Sequence, residues 1–196
     1  MASFDFIIAG GGMAGLSLAY HLPPDATVLL IDRERKTRND RTWCFWEIGD
    51  SPYEAAIHRH WDHIWVHGPG LSERFDITPY RYKMLRGADF YGHVNTWLET
   101  QSPRITVKYG ALERLESSSS GATAWVDGAA FHASWAFNSA FVPDVPKTGF
   151  HHLLQHFRGW VIRTSEPRFD PSAATFMDFR TPQHGDVRFV YVLPLD

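Results

Sequence analysis

Gly10, Gly12 and Gly15 stand at G-x-G-x-x-G spacing, and an acid, Asp32, follows further along the chain. Residues without side chains let backbone N–H groups approach a phosphate closely. A carboxylate at that remove can accept a hydrogen bond from a ribose hydroxyl. The flanks supply what must hold these residues. Phe4, Phe6, Ile7, Ile8 and Ala9 form an apolar run suited to a buried parallel strand. Met13 to His21 reads as a helix, stopped by Pro23 and Pro24. Thr27 to Ile31 is a second strand, closed by Asp32. Strand, glycine turn, helix, strand and acid in that order make a dinucleotide-binding unit, against the simpler reading of a structural turn. The helix N-terminus adds unpaired N–H groups and a positive dipole end. The motif alone does not separate FAD from NAD; its start at residue 4 and the Asp32-Arg33 pair lean toward FAD.

Other residues capable of chemistry are less well placed. Arg33 to Asp40 is a charged loop, in which Arg33, with Arg41 beyond it, could neutralise phosphate. Cys44 sits among aromatics in RTWCFWE with no base placed by sequence, which suits a small buried residue better than a nucleophile. His58, His60, His63 and His67 match no standard ligand spacing, and strand alternation would divide them between faces, so no metal is expected. Trp61, Ile64, Trp65 and Val66 mark a strand there. GxSxG, HExxH, paired CxxC and GK[ST] motifs are absent.

The composition bounds the rest. The chain has 196 residues, 44% hydrophobic and 21% charged, so it folds as one respectable core or one and a half domains. A net charge of −3 argues against nucleic acid as a partner. One cysteine excludes an intrachain disulfide framework and fits a reducing cytosol. No apolar run approaches a membrane span, and the start lacks a secretion-signal pattern. Eight Trp, fourteen Phe and seven Tyr suit either an aromatic-lined pocket or an aromatic core.

Further along, Pro79 to Gly87 reads as a basic connector, and Asp89 to Thr100 as a helix burying Phe90, Val94, Trp97 and Leu98. Residues 105–137 read as a small antiparallel meander with a tight turn at Asp127-Gly128. The internal boundary falls in Val142 to Gly149, giving a first domain over 1–145 and a second over 146–196. Phe150, Leu153, Leu154 and Phe157 fit a helix, although periodicity does not settle 150–163. The abrupt end after Asp196 suggests a truncated chain.

Four stretches carry a resemblance to a known family: IIAGGGMAGLSLA, NDRTWCFWE, LLQHFRGW, and TFMDFR with FVYVLP. Together they resemble the FAD-dependent lycopene beta-cyclases of carotenoid biosynthesis, over the first half of the family's length. FMDFR looks like the FMDWR of plant cyclases. The resemblance implies an α/β fold: a Rossmann-type FAD-binding domain with an antiparallel meander and part of a β-sheet covering the substrate. It makes 150–194 mainly strands. It implies a non-redox cyclisation of linear carotene ends to beta-ionone rings, using reduced FAD with NAD(P)H as electron source. Carried over by position, Gly10, Gly12, Met13, Ala14, Gly15, Asp32, Arg33 and Arg41 are flavin candidates, and Leu112 would touch the adenine through its backbone. Asp178 and Arg180 are catalytic candidates near the substrate or, equally, a structural ion pair. The glutamate motif resembling FLEET, which would supply the proton donor, is expected just past Asp196. The implied partners are lycopene, carotene intermediates and a membrane surface; the implied place is cytoplasmic, peripheral at the inner membrane face. Alternatives are another FAD-dependent oxidoreductase, of aromatic-hydroxylase or isoprenoid-reductase type, or a non-catalytic flavin-binding fragment.

Overall fold

The structure, a computed structural model, describes residues 3–141, 143–144, 148–151 and 153–196. In chain order the elements open with β1 (Ser3–Ala9), α1 (Met13–His21), β2 (Val28–Asp32) and β3 (Thr42–Ile48). A single 3-10 turn, Glu54–Ala56, precedes β4 (Ile57–Trp61), β5 (His63–Gly68), β6 (Leu71–Asp76) and β7 (Tyr80–Arg86). Then come α2 (Gly87–Glu99), β8 (Ile105–Tyr109), β9 (Leu112–Ser118), β10 (Gly121–Val126) and β11 (Ala129–Asn138). The last two strands are β12 (Ala174–Asp178) and β13 (Val190–Val192).

The residues form two compact units. The first comprises Met1–Trp43, Tyr53–Ile57 and Leu85–Val142. Its six-stranded sheet has the order β8-β2-β1-β11-β10-β9. The strands β8, β2, β1 and β11 run parallel, and β11, β10 and β9 form an antiparallel meander. A parallel strand is covered on both faces, which is why Val28, Leu29, Leu30 and Ile31 are all buried without alternation. On one face Ile7, Leu29, Ile31, Ala124, Val126 and Ala133 form a common core. Helix α2 turns Phe90, Val94 and Leu98 inward at helical spacing. Asp127 and Gly128 both take positive φ, the type I′ geometry whose twist matches the flanking strands. The sequence pattern starts the meander at 105. The structure begins it at Leu112, because β8 pairs in parallel with β2 from Val28–Ile105 to Asp32–Tyr109. Alternating burial in a short strand is the same signal in either setting.

The second unit comprises Cys44–Pro52, His58–Met84 and Pro143–Asp196. Residues 44–52 and 58–84, which the sequence boundary assigns to the first domain, are therefore grouped with the C-terminal stretch. The cause is long-range pairing: β12 lies parallel to β5, with Ala174 opposite Ile64 and Asp178 opposite His67. Its four-stranded sheet runs β13-β12-β5-β6, and a three-stranded sheet runs β3-β7-β4. Trp61, Ile64, Tyr82, Met84 and Ala174 form its core. The histidines are divided, with His58 and His60 on β4 and His63 and His67 on β5. Among the described residues, no cluster of three His, Cys, Asp or Glu could hold a metal.

Two sequence readings are corrected. The supposed basic connector at 79–87 is strand β7, running into α2. Its cations are matched by acids: Arg81 by Asp62 and Asp50, Lys83 by Glu47, Arg86 by Asp89. Neutralised in this way, a basic sequence can lie in a buried strand. Second, 150–194 is not mainly strand: only β12 and β13 are. The described residues of 150–173 include no helix or strand, and Leu153, Leu154, Phe157 and Val161 are exposed. An apolar stretch becomes a strand only where a neighbour's backbone pairs with it, and no described strand does. Part of the boundary segment, at Val142, Val145, Pro146 and Lys147, lies outside the described residues.

Candidate functional site

The first unit builds a site at the carboxyl ends of β1 and β2. Ile7, Ile8 and Ala9 anchor β1, and the chain leaves it through Gly10 at φ +111°, where a side chain would strain the backbone. Gly15 is the close-approach glycine. A Cβ there would drive into the Gly10 carbonyl and meet Ile8 Cγ2 at 3.0 Å. Helix α1 can pack against the turn only because Gly15 has none. Gly12 is its N-cap, with no side-chain capping bond and no acid in the first turn. The first-turn N–H groups, including those of Met13 and Ala14, therefore face outward with the positive end of the dipole. A Cβ on Gly12 would meet nothing within 4 Å. Anion-seeking donors beneath open space suit a pyrophosphate, so the residues fit the phosphates of a dinucleotide.

Asp32 is more than a ribose ligand in waiting. Its Oδ2 accepts the Gly11 N–H at 2.6 Å, and its Oδ1 accepts the Glu34 N–H at 3.2 Å and Lys36 Nζ at 3.4 Å. The carboxylate thereby ties the glycine turn to the end of β2. With about four lone-pair sites, it keeps capacity for one hydroxyl. Beside it lies an open cleft of about 270 Å³, lined by residues that include Gly11, Asp32, Arg35, Lys36, Asn95 and Tyr109.

Not every sequence candidate reaches this place. Arg33 is exposed and does not line the cleft; Arg35 and Lys36 do. These two stand in the same charged loop, but the course of a loop is not readable from composition. Arg41 lies at the start of α2, where its carbonyl accepts the Gly87 N–H at 2.7 Å and its guanidinium donates to the Asp40 carbonyl. Close by, burial and then the Asp40 carboxylate push the Tyr91 phenol up to about 12. Leu112 opens β9 opposite Val126, with its side chain on the sheet core, away from the cleft lining. Gly11 is absent from the sequence candidates, although its position inside the motif marks it.

Asp178 and Arg180 lie in the second unit, at and just beyond the end of β12. Arg180 grips Asp178 in a two-pronged ion pair, Nε to Oδ1 at 2.9 Å and Nη2 to Oδ2 at 2.7 Å. That grip lowers the Asp178 carboxyl to about 2, so it is an anion at neutral pH and no proton donor. A depressed pKa adds stability that is present above the unfolded value, about 4, and lost as pH falls through about 2. Asp178→Asn is therefore expected to unfold at lower denaturant than the parent at pH 5, with the gap narrowing toward pH 2. A gap unchanged between the two pH values would remove the ion pair as its cause.

No curated protein sequence matches the chain. Solved structures do. p-Nitrophenol 4-monooxygenase PnpA from Pseudomonas putida DLL-E4 aligns at TM-score 0.51 and 16% identity, covering 69% of this chain and 40% of that one. PqsL, a probable FAD-dependent monooxygenase from Pseudomonas aeruginosa, aligns at 0.52 and 12%, covering 68% and 41%. CtdE in complex with FAD and substrate 4 aligns at 0.52 and 18%, covering 69% and 37%. At such identities the likeness shows the fold: α/β, of the large FAD-binding class. The chain spans about 40% of the length of these structures. The sequence itself is matched from residue 5 to residue 196 by the family described as lycopene cyclase protein. With both units inside that match, and the glycine turn at its head, the chain belongs to the lycopene cyclase family.

Proposed function

We propose that the chain is the flavin-holding part of a lycopene beta-cyclase, which closes the linear ends of lycopene into beta-ionone rings. The open space above Gly12, at an uncapped helix N-terminus, carries this reading within a chain matched by the family over 5–196. Gly10, Gly12, Met13, Ala14 and Gly15 hold the FAD pyrophosphate, and Asp32 takes the ribose with Lys36 beside it. Reduced FAD, supplied with electrons by NAD(P)H, contributes negative charge that stabilises a cation in a dry pocket.

The reaction conserves hydrogen. A proton adds to a terminal double bond, whose electron pair becomes the new C–H bond. The resulting cation takes the electron pair of a neighbouring double bond, forming the ring C–C bond. A ring C–H then releases its proton, and its electron pair restores a double bond. Asp178, held as an anion by Arg180, enters as charge rather than as acid. The proton donor belongs to a further segment of the protein. Lycopene has no polar handle, so binding rests on apolar burial and the protein works from the cytoplasm at the inner membrane face, with nucleic acid no partner.

The test is expression in lycopene-accumulating cells of residues 1–196 and of the protein extended to the length of its relatives. Beta-carotene is expected from the extended protein only. Product from 1–196 above the empty-vector background would overturn the placement of the acid. Oxygenated product, or none from either, would overturn the cyclase reading in favour of a hydroxylase or a flavin-binding fragment.

A further inference from the structure

The second unit carries a row of aromatic rings that the flavin site does not use. Trp46 lies on Tyr82 with centroids 4.7 Å apart, and Phe176 meets both edge-on, at 5.2 Å and 5.5 Å. Tyr191 continues the row from Phe176 at 6.0 Å, and Phe189 from Tyr191 at 4.9 Å. Trp61 underlies Tyr82 at 6.1 Å and is 2% exposed. The row is thus a buried floor with an open end: Trp46 is 41% and Tyr191 44% exposed.

Its polar atoms are kept neutral. Cys44 and Tyr82 share a hydrogen bond, and burial pushes the thiol up. Burial and the neighbouring Cys44 push the Tyr82 phenol up as well. The charged side chains nearby are spent on each other: Lys83 is wholly buried with its Nζ 2.8 Å from Glu47 Oε2, and Arg180 holds Asp178. What the row offers is the face of uncharged, electron-rich rings and nothing ionic. An acidic or phosphorylated ligand finds no counter-ion here, and a sugar finds few donors. An apolar conjugated chain finds flat surfaces, and a cation formed on that chain finds ring quadrupoles.

We infer that Trp46, Tyr82, Phe176 and Tyr191 form the wall against which the end group of the polyene folds, and that their ring faces stabilise the carbocation formed there. This rests on the cyclase reading. Trp46 is the substrate-contacting residue to test, because its exposure lets it be changed without emptying the core. Trp46→Leu keeps an apolar surface and removes the ring; Trp46→Phe keeps a ring.

The flavin-loaded protein, extended to the length of its relatives, is assayed with lycopene in liposomes. Trp46→Leu is expected to lower kcat about tenfold while KM moves less than about threefold, with flavin content unchanged. Trp46→Phe is expected to recover most of kcat. Quenching of protein fluorescence by added lycopene, measured without turnover, is expected in the parent and diminished when Trp46, its nearest fluorophore, becomes Phe. A parent that cyclises lycopene, with a Trp46→Leu variant of normal kcat, overturns the inference and leaves the cyclase reading standing. The same follows if Trp46→Phe is as slow as Trp46→Leu, since the ring would then not be what matters. A flavin-loaded parent that never cyclises lycopene overturns both.

Discussion

Gly12→Val is expected to fold as the parent does and to emerge without flavin. The two glycines on either side of the phosphate site make this a sharp distinction. At Gly12 the backbone has φ −81° and ψ −172°, extended values that a β-branched residue adopts readily. A side chain there meets no protein atom within 4 Å, so nothing in the fold opposes it. The only thing it displaces is what belongs above the helix N-terminus. Losing close approach of a pyrophosphate to the N–H groups should weaken flavin binding by about a hundredfold, or ~3 kcal/mol. Gly15→Ala is the opposite case. Its methyl group has to enter the space of the Gly10 carbonyl, so α1 must lift off the sheet, at a cost of about 1–3 kcal/mol. Thermal melting and the ratio of bound flavin to protein separate the two. A folded Gly12→Val protein with stoichiometric flavin would refute the assignment of this turn to the cofactor phosphates.

The first 32 residues are legible because every level of the sequence agrees there. Apolar runs, glycine spacing, proline stops and a terminal acid all demand the same strand-turn-helix-strand, and the helix bounds fall at Met13 and His21 as read. The charged loop after Asp32 has no such redundancy. Which cation turns toward the cleft depends on loop path, so the sequence points to Arg33 and Arg41 where the structure uses Arg35 and Lys36. Strand β7 is hidden for another reason. Its lysine and arginines look like solvent-facing residues, whereas each cation has a carboxylate brought from elsewhere in the chain. Long-range pairing of β12 with β5 likewise leaves no local trace, since parallel partners are joined by no turn.

Glu47→Gln is expected to destabilise the second unit more than Lys83→Met does, although lysine is the residue that is wholly buried. In the parent, Lys83 Nζ donates to Glu47 Oε2 at 2.8 Å and to the Gly49 carbonyl at 2.7 Å. Its side chain is 0% exposed, while that of Glu47 is 27% exposed. Glu47→Gln preserves shape and an acceptor oxygen but takes the Glu47 charge away from an ammonium held out of water. Removing one partner of a buried pair costs about 3 kcal/mol, because the surviving charge loses its compensation. Lys83→Met removes that charge and retains an unbranched apolar stem of similar length. The survivor, Glu47, can reach water, and the main loss is a donor to the Gly49 carbonyl, about 1 kcal/mol. The double variant should lie close to Lys83→Met alone, since the amide introduced by Glu47→Gln then faces no ammonium. Denaturant unfolding of the three variants measures the order directly. Equal losses for the two single variants, or simple additivity in the double, would show that the pair is not coupled and that the Glu47 charge is not what holds Lys83.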